Sequence, residues 1–72
     1  MKRVTANRTY RYDPVMLDVM HVCCSAQSGE IVRVINLPGA PRANTMGQCH
    51  IEDPKTREFL GMCSIYSLKS IH

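Results

Sequence analysis

The longest apolar run of this chain, from Val15 to Cys24, constrains its fold more than any other feature. Asp18 and His21 interrupt the run, and it is far shorter than the ~20 apolar residues that a membrane-spanning helix needs. The sequence therefore predicts no contact with a membrane. The run must instead be covered by the rest of the domain, by a second copy of the chain or by a partner protein.

The length of 72 residues leaves room for one small domain, which we place at residues 1–72. Apolar residues make up 44% of the chain and charged residues 21%, a globular balance that excludes disordered, collagen-like and coiled-coil classes. With one Phe and no Trp, the core must be built from Val, Ile, Leu and Met. Such a core stabilises a small domain by only a few kcal/mol.

The start of the apolar run carries a helix signal. Asp13 is a good N-cap residue, and Pro14 suits the first helical position, so we expect a helix over about residues 14–25. One face of this helix would comprise Met16, Val19, Met20 and Cys23, with Asp18 and Ser25 on another. Because the run is rich in β-branched residues, it is also typical of a buried extra strand.

Short strands are predicted from Gly29 onward. The β-branched segment Glu30–Asn36 is the clearest of them, with Val32 and Val34 on one face. Gly61 inside a later strand predicts a bulge or a close backbone crossing. The remaining predicted elements are a strand at 48–52, a tight turn at 53–56, a strand at 58–66 and a short closing strand near the C-terminus.

This order of strand, long loop, strand, tight turn, bent strand and short closing turn resembles the SH3-like small barrels. The resemblance implies a mainly β fold, with a five-stranded barrel over about residues 29–72. The helix or extra strand at about 14–25 would precede that barrel and pack on it or on a second copy. A fold shared by many functions implies architecture alone.

The loop at residues 37–47 is longer than most connections between secondary-structure elements. Pro38 and Gly39 fit the second and third positions of a type II turn. Loops of this length often bind partners, and this one combines a cation, an amide and a flexible apolar side chain. We therefore expect Arg42, Asn44 and Met46 to contact a protein partner.

Positive charge is concentrated at the N-terminus. The net charge is +3, yet residues 1–12 hold four bases and no acid, while the other sixty residues hold five bases and six acids. Cations interleaved with aromatic rings are typical of single-strand nucleic-acid binding. The candidate residues in this expected mobile arm are Lys2, Arg3, Arg8, Tyr10, Arg11 and Tyr12. The alternation in residues 8–12 also fits an edge strand with its tyrosines on one face.

Four cysteines raise the question of a metal, but their spacing lacks the Cys-x-x-Cys pairs of zinc sites. The weak candidate ligands are His21, Cys23, Cys49 and Cys63. All four cysteines lie in apolar segments, as expected of free thiols in a reducing cytoplasm. The basic N-terminus is not followed by an apolar signal segment, so we expect a cytoplasmic protein that holds no cofactor.

The sequence contains no P-loop and no recognisable catalytic constellation, so we expect a protein that is not an enzyme. The favoured interpretation is a small binding or adaptor module that docks on a protein partner or forms a homodimer. Nucleic-acid binding through the basic arm is the alternative interpretation. A metal or thiol sensor is the second alternative.

Overall fold

A computed structural model describes residues 4–38 and 47–71. The fold is mainly β with one short helix, which confirms the predicted class. The elements are β1 (Thr9–Tyr12), α1 (Met16–Met20), β2 (Ile31–Ile35), β3 (Gln48–Glu52), β4 (Phe59–Ser64), a 3₁₀ turn (Ile65–Ser67) and β5 (Leu68–Lys69). Within these residues, no helix has the length and apolar character needed to cross a bilayer.

The five strands form one antiparallel sheet in the order β4-β3-β2-β1-β5. The two outermost strands, β4 and β5, are consecutive in the chain. In a flat sheet they would lie about 19 Å apart, whereas the chain from Ser64 to Leu68 reaches at most about 14 Å. The sheet therefore curls, so that its two edges approach each other at the 3₁₀ turn.

Residues 9–12, which we expected in a basic arm, form β1 inside the sheet. Tyr10 is paired with Val32 of β2, and Tyr12 is paired with Leu68 of β5. The fifth strand therefore comes from the N-terminus, and only four of the five strands lie within the expected range of 29–72. The alternation of residues 8–12 carried this signal, but β1 has a neighbour on both sides and is not an edge strand.

The core lies on the concave face of the curled sheet. Val32 and Val34 share this face and are fully buried, as the alternation in β2 predicted. Fully burying an aliphatic side chain of this size stabilises the fold by about 1.5–3 kcal/mol. The buried apolar side chains are Val4, Tyr12, Val32, Val34, Cys49, Ile51, Cys63, Ile65 and Leu68.

The helix expected over residues 14–25 is much shorter, and its predicted cap is wrong. Val15 is the N-cap residue, and no side chain caps the helix. The backbone N–H of Asp13 donates instead to the carbonyl of Ser67 at 2.7 Å. Residue 13 is therefore bound to the C-terminal part of the chain and does not cap the helix. The helix ends at Met20, and the following segment lies antiparallel beside β4, where Cys24 forms a single β-bridge with Gly61.

Gly61 is the point of closest backbone approach, as its position in a strand predicted. A Cβ atom at this residue would lie 2.4 Å from the carbonyl oxygen of Cys23 and 2.8 Å from the Cα of Cys24. The residue also has a φ of +112°, which side chains disfavour. Only glycine therefore lets the segment after α1 lie against β4.

We expect Gly61→Ala to lower the free energy of unfolding by about 2 kcal/mol or more, because both backbone strain and a backbone clash oppose the new methyl group. Gly29→Ala is the matched control, since Gly29 also has a positive φ but nothing lies within 4 Å of its Cβ position. That variant should lose only about 1 kcal/mol. Urea unfolding followed by circular dichroism measures both, and equal losses would contradict the close approach.

Candidate functional site

Helix α1 has the reverse of the usual orientation of a surface helix, with its polar residue facing the domain and its apolar residues facing solvent. Its one charged residue, Asp18, is half-buried and faces the domain, while its apolar side chains face solvent. A surface helix normally does the opposite. We call the exposed apolar side chains of α1, together with that of Val22 just after the helix, the α1 surface. They are Met16 (71% exposed), Leu17 (53%), Val19 (58%), Met20 (69%) and Val22 (74%).

The Asp18 carboxylate fixes this orientation through hydrogen bonds to three separate elements. Its two oxygens accept from the backbone N–H of Ser64, at 3.1 and 3.2 Å, where β4 ends. It also accepts from the hydroxyl of Ser67 in the 3₁₀ turn and, at 3.5 Å, from the hydroxyl of Tyr12 in β1. The Ser67 hydroxyl in turn accepts from the N–H of Val15 at 3.1 Å.

Burial explains why these polar contacts prevail. Ser64 and Ser67 are only 3% and 0% exposed, and a buried polar group without a partner costs about 1–3 kcal/mol. Throughout residues 4–38 and 47–71, every buried side-chain polar atom has a partner. Because Asp18 must face inward to satisfy these groups, the apolar residues around it are turned outward.

The edge of β4 is closed to a further strand. The N–H of Ser25 donates to the carbonyl of Leu60 at 2.8 Å, and the N–H of Met62 donates to the carbonyl of Cys23 at 3.1 Å. The segment after α1 thus occupies the hydrogen-bonding groups that strand addition would use. A further strand therefore cannot pair with β4 along this edge.

The cysteines and His21 do not assemble as a metal site. Cys49 and Cys63 are buried opposite each other on β3 and β4, whereas Cys23 and His21 are exposed on the segment after α1. In the part of the chain that the structure describes, no three His, Cys, Asp or Glu side chains are placed to hold a metal ion.

Only some of the residues proposed for nucleic-acid binding are exposed to solvent where a nucleic acid could contact them. Arg8 and Arg11 are exposed, but Tyr12 is buried, and this burial raises the pKa of its hydroxyl well above the usual range. Tyr10 is half-buried, and its hydroxyl accepts a hydrogen bond from the N–H of Thr5 at 2.8 Å. The ring of Tyr12 therefore has no free face for a base, and Lys2 and Arg3 lie outside the described residues.

The predicted partner-binding residues of the long loop, Arg42, Asn44 and Met46, also lie outside the described residues. Sequence reasoning missed the contribution of Asp18, Ser64 and Ser67. One signal was present, since Asp18 is the single acid within the longest apolar run. An acid in that position must either be solvated or satisfy buried donors.

No family model, no curated protein and no solved structure matches this chain. Its function is therefore inferred from the geometry of its own residues. The fold explains why the α1 side chains face outward, but among the described residues nothing covers them.

We expect Asp18→Ala to lower the free energy of unfolding by about 2–3 kcal/mol, because it leaves the buried donors of Ser64 and Ser67 without their acceptor. Asp13→Ala removes an acid from the same segment whose side chain is exposed, and it should change stability by less than about 0.5 kcal/mol. Urea denaturation measures both. Equal stabilities of the two variants would show that the carboxylate does not hold α1.

Proposed function

We propose that this protein is a non-enzymatic docking module that binds a partner protein through the α1 surface. The observation that carries the proposal is the inverted orientation of α1, with apolar side chains facing water around an inward carboxylate. Exposed apolar side chains scattered singly are common, but a set gathered on one short helix and the segment after it is typical of an interaction site.

The size of the α1 surface favours a partner protein over a second copy. At ~1 kcal/mol or more for each half-exposed aliphatic side chain, covering five of them gains roughly 5–10 kcal/mol. Association itself costs about 4–15 kcal/mol, so this surface supports reversible binding. Five such side chains offer a few hundred Å², which is less than the ~800 Å² per partner of a standard interface. An apolar groove that encloses this helix would gain additional contact area that two protruding helices packed together would lack.

The charges around α1 further narrow the class of partner. No Lys or Arg occurs between Arg11 and Arg33, and Asp13 lies just before the helix. Helices that bind anionic lipid carry basic residues on their polar face, and nucleic-acid sites likewise depend on cations. A neutral, apolar protein groove is therefore the best match for this segment.

We also infer that the curled sheet closes as an SH3-like small barrel. The three-residue connection between the two outermost strands supports this inference, as do the short strands and the register shift between Ile51 and Glu52. The first strand of the barrel would be β1. In such an arrangement α1 lies in the long β1–β2 connection, on the outside of the barrel.

The docking proposal is tested with Val19→Gln/Met20→Gln, a change of two exposed side chains that should leave stability within about 0.5 kcal/mol of wild type. Arg11→Gln/Lys69→Gln, a change of two paired residues on β1 and β5, is the matched control. Proteins retained from a cell lysate by wild type and control, but not by the α1 variant, are purified and titrated calorimetrically. We expect the Kd of such a partner to rise at least tenfold in the α1 variant.

Light scattering on the same three proteins tests whether a second copy of the chain, in place of a partner protein, covers the α1 surface. A wild-type dimer that the α1 variant disrupts would contradict a partner protein and assign the surface to a second copy. Captured proteins that bind all three baits equally would contradict docking through α1.

A second candidate function, nucleic-acid binding, is favoured by one observation. Arg11 of β1 lies directly opposite Lys69 of β5, an arrangement of like charges that costs stability. In the described part of the chain, neither residue forms an ion pair. Arg11 is exposed and Lys69 is half-buried, and two neighbouring cations on one face form a site where phosphates bind.

If this second function holds, Arg11→Gln/Lys69→Gln should weaken binding to single-stranded DNA and RNA in fluorescence anisotropy. The slope of log K against log salt should become shallower by about 1.4, at roughly 0.7 per phosphate contact. Removal of residues 1–12 is unsuitable as a test, because residues 9–12 form β1. No binding by the wild-type protein at low salt would rule this function out.

A further inference from the structure

Cys49 and Cys63 occupy directly opposite positions on β3 and β4. The N–H of Ile65 donates to the carbonyl of Gly47 at 3.1 Å, and hydrogen-bonded pairs recur at every second position of an antiparallel ladder. Cys49 and Cys63 are therefore also a hydrogen-bonded pair, with Cα atoms about 5.5 Å apart. This separation lies within the 4.4–6.8 Å that a disulfide spans.

Both side chains lie on the inner face of the sheet, at 3% and 2% exposure. Because the two residues lie directly opposite each other and both face inward, their thiols are neighbours in the core. Among the described residues no third ligand joins them as a metal site. Two free thiols therefore lie side by side within the buried core.

We propose that Cys49 and Cys63 are a reversible redox site, at which hydrogen peroxide converts the two thiols to a cross-strand disulfide. This inference is independent of the docking function and of the α1 surface. It assigns a chemical role to two of the four cysteines.

The interaction between the two neighbouring thiols favours Cys49 as the sulfur that reacts first. It lowers the pKa of Cys49, whose thiolate it stabilises, and together with burial it raises the pKa of Cys63. The Cys49 thiolate attacks one oxygen of peroxide, the O–O bond breaks, and hydroxide leaves and takes a proton, which forms a sulfenic acid and water. The Cys63 sulfur then attacks the Cys49 sulfur, the S–O bond breaks, and a second water leaves. Overall, two thiols and one peroxide give one disulfide and two waters.

Burial sets the rate and the choice of oxidant. Peroxide is small enough to enter when β3 and β4 open locally, whereas a bulky disulfide oxidant is not. Oxidation at this site is therefore slower than at the exposed Cys23. The disulfide closes a loop of about 15 residues, which restricts the unfolded chain, so we expect the Tm to rise by about 5 °C or more.

The test treats folded Cys23→Ser protein with peroxide, blocks the remaining thiols with an alkylating reagent after denaturation, and maps the products by mass spectrometry without reduction. Trypsin separates the thiols cleanly, since Cys49 lies in the peptide 43–55, Cys63 in 58–69 and Cys24 in 12–33. We expect a linked pair of the peptides 43–55 and 58–69, lighter by two hydrogens and separated again by dithiothreitol. Methionine oxidation adds an oxygen and is read separately.

A second variant tests the order of the steps. In Cys63→Ser the sulfenic acid has no partner, so dimedone should label Cys49. If that variant does not fold, the peptide map of the Cys23→Ser protein still decides the proposal. Free alkylated Cys49 and Cys63 after a peroxide treatment that fully oxidises Cys23 in the wild-type protein would overturn it. A link that involves Cys24 in place of either residue would overturn it as well.

Discussion

The carboxylate of Asp18 is the contact on which the arrangement of this molecule depends. It joins α1 to the end of β4, to the 3₁₀ turn and to Tyr12 of β1, where the two edges of the curled sheet approach each other. Hydrogen bonds to a charged group are stronger than those between neutral groups, and here they satisfy donors that are cut off from water. A short helix without a capping side chain or a buried residue has no other comparable anchor.

The Asp18 contacts determine which side chains of α1 face solvent. An apolar contact would have turned the apolar side chains of α1 inward, and the helix would then have been an ordinary part of the core. A polar contact turns them outward, and the domain carries a surface whose exposure costs several kcal/mol in water. Residues 23–25 already occupy the edge of β4, and we therefore propose the α1 surface as the place where a partner docks.

Local sequence patterns predicted much of the fold. The alternation of Val32 and Val34, the strands that follow and the close approach at Gly61 depend on neighbouring residues, and all three are confirmed. The position of β1 was not predicted, because pairing with Lys69 is a contact across most of the chain. The helix cap was wrong for the same reason, since Asp13 is held by Ser67, which is 54 residues later. The α1 surface could be predicted as apolar, but its direction depends on buried serines that no local pattern connects to Asp18.

Solvent exposure of the methionine methyl groups tests the central claim most directly. With ¹³C-methyl-labelled methionine and a soluble paramagnetic agent, the dilute protein should show strong, equal broadening at Met16 and Met20, and weaker broadening at the half-buried Met62. In Asp18→Ala, the distinction between these methyl groups should diminish as α1 detaches. Met16 and Met20 protected as well as Met62 in the monomer would contradict the outward orientation of α1, and with it the docking surface.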